Sequence, residues 1–219
     1  LGDLAVVPEL GKNSAQSAAA FLVAMAAKHK GELVICAVAP LTNIADALKL
    51  DPAFASNIKE LVIMGGAFKQ AGNITPYAEA NIYHDAKAAD AVFACGMLIK
   101  MIGLDATMLT LLTPDDFTEL GTKAPKIGGF IARISEFYLD FYRSVGVTNG
   151  CPMHDATAVM ACTNPERFTF EKSGLRVVLE GDAFGQTIAD ATRPPVEIAV
   201  DVQGKWAVDL FKERVISLG

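Results

Sequence analysis

Short apolar runs that end at polar turns are the feature of this sequence that most constrains its fold. Residues 33–38 and 61–64 are continuous apolar runs rich in β-formers, and Ile99–Ile102 is a further short run. Runs of this kind are typical of strands buried on both faces of a sheet. Segments with helical spacing of apolar residues lie between the runs. The alternation predicts an open, mostly parallel sheet flanked by helices, an α/β fold.

The remaining elements continue the same alternation. Strands are also predicted near residues 175–179 and 196–202. Helices are predicted from a Ser14 cap to residue 29, from Asn43 to residue 50, over 86–93 behind an Asp85 cap, over 130–144, after Asp155 and over 207–215. No repeat and no Pro/Gly/Ser-rich linker divides the chain. A single α/β domain over residues 1–219 is therefore expected, with 52% apolar and 20% charged residues.

Charge and cysteine usage limit the partners of the chain. The formal net charge is −6, and no basic stripe is present to replace the counterions of a nucleic acid, so no nucleic-acid partner is expected. The longest apolar run, residues 18–27, is shorter than the roughly 20 residues that cross a bilayer, so no membrane partner is expected either. The four cysteines form no C-x-x-C pair, which favours free thiols and a reducing, cytoplasmic location.

Polar residues follow the buried strands where the carboxyl ends of a parallel sheet would bind a ligand. After the first run comes Ala39–Pro–Leu–Thr–Asn43, in which Thr42 or Asn43 can cap the next helix or an oxygen of this loop can face a ligand. After the second run, two glycines precede Asn73, Glu79 and Asn81. Two amides and a carboxylate suit a vicinal diol, although turn and cap roles would also explain them.

A third polar group lies near the middle of the second half. His154 and Asp155 are adjacent, and Tyr138 and Tyr142 precede them one helical turn apart. The His-Asp pair can supply a base and a metal ligand, or Asp155 can merely cap a helix while His154 lies on the surface. The two tyrosines can likewise be a half-buried packing stripe.

Several common catalytic motifs are absent from the sequence. It contains no G-x-G-x-x-G, no G-x-x-x-x-G-K-[ST], no G-x-S-x-G and no H-E-x-x-H. Dinucleotide binding, P-loop chemistry, hydrolysis by a serine elbow and zinc peptidase action therefore have no support.

The order and spacing of the motifs resemble the inosine–uridine-preferring nucleoside hydrolases. The matching segments are P-L-T-N (40–43), V-I-M-G-G (62–66), G-N-x-T-P-x-A-E-x-N-x-x-x-D (72–85), G-L-D-x-T (103–107), H-D-A (154–156) and G-Q-T (185–187). Together they cover nearly the whole chain. The resemblance implies a Rossmann-like fold and hydrolysis of the N-glycosidic bond of purine and pyrimidine ribonucleosides to ribose and free base, as in nucleoside salvage.

The resemblance also implies roles for individual residues. It implies a calcium ion that binds the ribose hydroxyls and a water, with Asp155 as a carboxylate ligand and Thr42 as a ligand through its main-chain carbonyl. Asn73, Glu79 and Asn81 would hold the ribose, with Met64 packed near the sugar. His154 would be the catalytic residue that protonates, or stays close to, the departing base, and Tyr142 and Tyr138 would line the base pocket. A homodimer or homotetramer is expected on the same grounds.

One part of the family pattern has no counterpart. The family usually opens with D-x-D-x-G-x-D-D, which supplies the catalytic base and most metal carboxylates, and this motif is absent. The expectation is therefore a C-terminal portion of a nucleoside hydrolase domain whose calcium site is incomplete and which is inactive alone. A separate N-terminal segment is the partner that this expectation implies. The alternative is a non-catalytic nucleoside- or ribose-binding remnant. A nucleoside phosphorylase ranks below both, because no basic phosphate site accompanies the ribose residues.

Overall fold

The computed structural model describes residues 15–218. In this part of the chain six strands form one sheet, and two short strands form a separate pair. The strands are β1 (Val34–Ala37), β2 (Glu60–Met64), β3 (Ile99–Ile102), β4 (Leu111–Leu112), β5 (Cys151–Pro152), β6 (Phe168–Val177), β7 (Thr187–Ala189) and β8 (Pro195–Val202). The order in the large sheet is β1-β2-β3-β8-β6-β7.

The sheet is mostly parallel, as the sequence predicts. Strands β1, β2, β3 and β8 pair in parallel, whereas β6 is antiparallel to β8 and β7 is antiparallel to β6. Strand β2 contributes Leu61 and Ile63 to one apolar core and Val62 and Met64 to the other. Both faces of the sheet are therefore buried, which is why the strand sequences read as continuous apolar runs.

Helices cover both faces. They are α1 (Ala18–Lys28), α2 (Thr42–Leu50), α3 (Phe54–Asn57), α4 (Ala80–His84), α5 (Ala86–Ala94), α6 (Leu104–Thr107), α7 (Pro114–Lys123), α8 (Ile127–Ser144), α9 (His154–Thr163) and α10 (Gly204–Ile216), with a 3₁₀ turn at Pro165–Arg167. Residues of α1, α2 and α5 lie in the first core, and residues of α6 to α10 lie in the second. Between residues 15 and 218, no helix combines the length and the apolar character that crossing a membrane requires.

One of the helix caps predicted from the sequence is observed in the structure, and two other helices are capped differently. Asp85 caps α5 as predicted, because its side chain accepts from the N–H of Ala88 at 3.1 Å. The predicted capping of α2 by Thr42 or Asn43 is wrong: Leu41 is the N-cap, and no side chain caps this helix. The Thr42 hydroxyl instead donates to Asp85 at 2.5 Å. The proposed Ser14 cap lies outside the described residues, and Ser17 caps α1.

The four cysteines are free thiols, as expected. Two of them are neighbours in the fold. The side chains of Cys36 of β1 and Cys162 of α9 interact. This interaction and burial raise the pKa of Cys36, while the same interaction lowers the pKa of Cys162. Packing of α9 across the sheet brings the two thiols together, and sequence spacing gives no sign of it.

Candidate active site

A cavity of about 990 Å³ opens beyond the carboxyl ends of β1 and β2. This is the position in which parallel α/β sheets bind ligands. One wall is the loop between β2 and α4, and the opposite wall is formed by α8 and the start of α9. Eight of the predicted site residues line the cavity: Met64, Asn73, Glu79, Asn81, Tyr138, Tyr142, His154 and Asp155.

Glu79 anchors the first wall. It is the N-cap of α4, and its carboxylate accepts hydrogen bonds from the N–H groups of Gly66 (2.9 Å), Asn81 (2.9 Å) and Ile82 (3.1 Å). Only 2% of the residue is exposed. Burial raises the pKa of Glu79, although the three backbone bonds oppose this shift. Gly66 has φ +88°, a conformation that glycine adopts without strain, and this turn aims its N–H at Glu79.

The two asparagines of this wall each keep one half of their amide free. The Asn73 carbonyl oxygen accepts from the N–H of Ala80 at 2.9 Å, and its NH₂ group makes no hydrogen bond to the described residues. Asn81 does the reverse: its NH₂ group donates to the Met64 carbonyl at 3.0 Å and contacts the Met64 sulfur at 3.3 Å, which leaves its oxygen open. The wall therefore presents one donor and one acceptor to the cavity.

The opposite wall holds a chain of hydrogen bonds centred on His154. Its Nδ1 lies 2.8 Å from the Thr107 hydroxyl, and its Nε2 lies 2.6 Å from the Tyr142 hydroxyl. Tyr138 donates to Tyr142 at 3.4 Å, and the two rings meet edge to face. His154 is therefore held at both nitrogens rather than lying loose on the surface.

Burial sets the protonation of this wall. It lowers the pKa of His154 to about 4, so the imidazole is neutral near pH 7. It also raises the pKa of Tyr142, whose hydroxyl stays protonated. The hydrogen-bonded pair of His154 and Tyr142 can therefore donate one hydrogen bond to an electron-rich atom in the cavity, but neither group carries a charge of its own there.

Asp155 does not cap a helix, which was the alternative role that the sequence left open. Helix α9 begins at His154 behind Met153, and no side chain caps it. The Asp155 carboxylate makes no hydrogen bond or ion pair within residues 15–218, and partial burial raises its pKa. It thus lines the cavity with its oxygens unused, while Thr42 is not among the described residues that line it.

The described residues do not complete a calcium site. Calcium takes 6–8 oxygen ligands. Between residues 15 and 218, no group of three or more His, Cys, Asp or Glu side chains is arranged to hold a metal ion. Within the described residues, the cavity wall carries two carboxylates, those of Asp155 and Glu79. The carboxylate of Glu79 already accepts three backbone hydrogen bonds.

Two residues of the site were not assigned a role from the sequence, although both lie in the G-L-D-x-T segment. Asp105 is 5% exposed and accepts from the N–H groups of Phe68 at 2.8 Å and Lys69 at 2.7 Å, which fixes the loop after β2. Thr107 is fully buried and contacts His154. Their place directly after β3, at the carboxyl edge of the sheet, is the signal that could have identified them.

The chain belongs to the inosine-uridine preferring nucleoside hydrolase family, whose model matches residues 1–209. Uridine nucleosidase 1 of Arabidopsis thaliana is 40% identical to it over 190 residues, which are 87% of this chain and 56% of that protein. The chain thus spans little more than half the length of this relative.

Two solved structures share the fold closely. A plant nucleoside hydrolase, the PpNRh1 enzyme, superposes with a TM-score of 0.90 at 33% identity, covering 97% of this chain and 71% of that one. A purine-preferring ribonucleoside hydrolase from Gardnerella vaginalis also gives a TM-score of 0.90, at 34% identity, covering 95% of this chain and 68% of that one. The α/β fold with an open, mostly parallel sheet is the fold of this family.

Proposed function

We propose that this chain forms the ribose- and base-binding part of an enzyme that hydrolyses the N-glycosidic bond of purine and pyrimidine ribonucleosides to ribose and free base. The observation that carries the proposal is the arrangement of open hydrogen-bonding groups across one cavity. Asn73 and Asn81 offer a donor and an acceptor on one side, and the hydrogen-bonded pair of His154 and Tyr142 offers a donor on the other. Family membership supports the same reaction.

The Asn73 side of the cavity suits the sugar. A vicinal diol both donates and accepts, and the free NH₂ of Asn73 and free oxygen of Asn81 complement it. Glu79 lines the same part of the cavity, and Met64 supplies an apolar contact. Groups that hold the ribose rigidly lower the barrier to breaking the bond at its anomeric carbon, because the sugar no longer has to be oriented during the reaction.

The His154 side suits the departing base. When the glycosidic bond breaks, its electron pair moves to a ring nitrogen of the base. A hydrogen bond from the Tyr142 hydroxyl, whose oxygen is bonded to the neutral His154 imidazole, stabilises the charge that develops there. Tyr138 borders the same region. The attack of water on the sugar needs a base that we assign to none of the described residues.

The finer features of the family resemblance are part of the proposal. A calcium ion would orient water and ribose hydroxyls, with Asp155 and the Thr42 carbonyl among its ligands and the others coming from outside the described residues. The enzyme would be a cytoplasmic homodimer or homotetramer of nucleoside salvage, which the free thiols of the chain suit.

The test uses the extended polypeptide, that is, this chain within a protein of the length of its relatives. Inosine and uridine are incubated with it, and ribose and free base are separated by chromatography. We expect stoichiometric release of both from each nucleoside, in buffers with and without phosphate. Asp155→Ala should abolish release, whereas Asp182→Ala, at a residue that does not line the cavity, should have no effect.

Two outcomes would overturn the proposal. Ribose binding without release of base from either nucleoside would make the protein a ribose- or nucleoside-binding remnant. Release that requires phosphate and yields ribose 1-phosphate would make it a phosphorylase.

A further inference from the structure

Thr107 lies behind His154, and the one side-chain hydrogen bond that its hydroxyl makes within the described residues is to His154. The residue is the last of α6 and is fully buried. Its hydroxyl is 2.8 Å from His154 Nδ1. A helical threonine often donates back to a carbonyl of the preceding turn, but within residues 15–218 the Thr107 hydroxyl makes no such bond. His154 is therefore the one partner on which this hydroxyl depends in the described structure.

The direction of this bond follows from counting donors and acceptors. If Nδ1 carried a proton, it would donate to the Thr107 oxygen, and the hydroxyl proton of Thr107 would be buried without an acceptor. Leaving a buried donor unpaired is costly, because its hydrogen bonds to water are lost and not replaced. If Nδ1 is unprotonated, the hydroxyl donates to it and no donor is left over. The second arrangement is the one that the surroundings of Thr107 favour.

The other nitrogen then carries the ring proton. Nε2 lies 2.6 Å from the Tyr142 hydroxyl, on the wall of the cavity. An Nε2–H can donate to the Tyr142 oxygen, and this leaves the Tyr142 proton free to point into the cavity. The neighbouring hydroxyl of Tyr138 lies 3.4 Å from that of Tyr142, a long contact that competes only weakly for that proton.

We propose that Thr107 is a positioning residue that holds His154 in the tautomer with its proton on Nε2, so that the Tyr142 hydroxyl is left free to donate to the departing base. Thr107 does not touch the substrate; it acts through His154. Its part in base departure rests on the proposed hydrolysis of nucleosides, whereas its effect on the tautomer does not.

The first test is spectroscopic and independent of activity. In the extended polypeptide, ¹⁵N-labelled histidine and long-range ¹H–¹⁵N correlation distinguish a protonated from an unprotonated ring nitrogen. His154 is assigned by loss of its signals in His154→Gln. We expect Nδ1 of His154 to be unprotonated and Nε2 to be protonated. A protonated Nδ1 in the unsubstituted protein would overturn the inference.

The second test compares variants and substrates. Thr107→Val keeps the shape of the side chain but removes the hydroxyl, whereas Thr107→Ser keeps the hydroxyl. We expect Thr107→Val to lower kcat for inosine and uridine by about tenfold or more, with little change in KM. The kcat for nitrophenyl riboside should not change, because its leaving group departs without stabilisation by a hydrogen bond. Thr107→Ser should restore turnover.

Thr110→Val is the matched control. Thr110 is also fully buried, but its hydroxyl bonds to the Thr107 carbonyl and to Thr157 rather than to His154. This change should lower thermal stability without altering the ratio of the two substrate rates. Equal slowing of both substrates by Thr107→Val, or no rescue by serine, would make Thr107 a packing residue only. If the unsubstituted protein hydrolyses neither substrate, the proposed function fails and the tautomer measurement alone decides the inference.

Discussion

Glu79 accepts a hydrogen bond from the N–H of Gly66 at 2.9 Å, and this bond closes the loop that forms one wall of the cavity. The same carboxylate caps α4 through Asn81 and Ile82. One side chain thus fixes the end of β2, the start of α4 and the position of Asn81 together. A residue expected from the resemblance to hold ribose also holds the wall that presents the other ribose-binding residues.

Replacing Glu79 by glutamine should therefore lower both stability and sugar binding. The NH₂ group of the glutamine side chain cannot accept a hydrogen bond from an N–H group, so at least one of the three backbone donors loses its partner. We expect a loss of about 1–3 kcal/mol in the free energy of unfolding. We also expect weaker binding of ribose, because Asn81 is no longer held in place. Denaturant unfolding and calorimetric titration with ribose measure the two effects.

Glu171→Gln is the control for this change. Glu171 forms an exposed ion pair with Lys69, which contributes little to stability. The control should unfold and bind like the unsubstituted protein. An unchanged free energy of unfolding for Glu79→Gln would contradict the role of Glu79 in holding the loop.

Replacing His154 by alanine should slow substrates selectively. The bases of inosine and uridine are poor leaving groups and need the hydrogen bonds of this wall, whereas the leaving group of nitrophenyl riboside does not. We expect kcat for the two nucleosides to fall by about 10²–10⁴-fold and that for nitrophenyl riboside to change little. Steady-state kinetics of the extended polypeptide measure both. His29→Gln, at the C-cap of α1, should change neither rate. Equal loss on both kinds of substrate would show that His154 orients the site instead.

The fold was predictable where burial left a plain mark on the sequence. Strands β2 and β3 are buried on both faces and were predicted closely. Strand β6 begins seven positions before its predicted start, because charged residues such as Glu171 and Lys172 interrupt its apolar pattern on a more exposed, antiparallel part of the sheet. Helix α7 was missed although Thr113, Pro114 and Asp116 form a capping box with proline at the first position, a signal present in the sequence.

The candidate site was predictable only in part. The loops at the carboxyl ends of the strands pointed to Asn73, Asn81 and His154, and the structure brings these around one cavity. The partner of His154 was not predictable, because Thr107 lies 47 positions away and meets it only through the packing of α6 near α9. The cap of α2 could not be predicted from the sequence either. The Thr42 hydroxyl is suited to capping, but in the fold it donates a hydrogen bond to Asp85 instead.

Replacing Lys212 by methionine should destabilise the protein in a pH-dependent way. Lys212 of α10 bonds to Asp116 at 2.7 Å and to Glu119 at 2.6 Å, and these bonds tie α10 to α7. Burial alone would raise the pKa of Asp116, but hydrogen bonds from Lys212 and Thr113 outweigh it, so the pKa lies below its ordinary value of 3.8. A lowered carboxyl pKa stabilises the fold above the ordinary pKa, and this stability is lost as pH falls through the folded value.

Thermal unfolding across pH measures this effect. We expect Lys212→Met to lower the melting temperature by about 2–4 °C near neutral pH. The difference should shrink as the pH falls from about 4 through the lowered pKa of Asp116. Lys205→Met, which removes an exposed pair with Asp209 on the same helix, should have no effect. A difference that stays constant into acid would contradict the contribution of the Asp116 charge.

Calcium binding should depend on Asp155 and on residues beyond those described. Asp155 supplies at most two oxygens and the Thr42 carbonyl one more, which falls short of the 6–8 that calcium takes. We expect calorimetric titration to give weak or no calcium binding by the 219-residue chain and tight binding by the extended polypeptide. Asp155→Asn in the extended polypeptide should weaken binding by about tenfold or more, because a neutral amide replaces a carboxylate on a hard cation. Asp182→Asn serves as the control, since this residue does not line the cavity. Equal, tight affinity of the short chain and the extended polypeptide would refute the claim that further ligands complete the site.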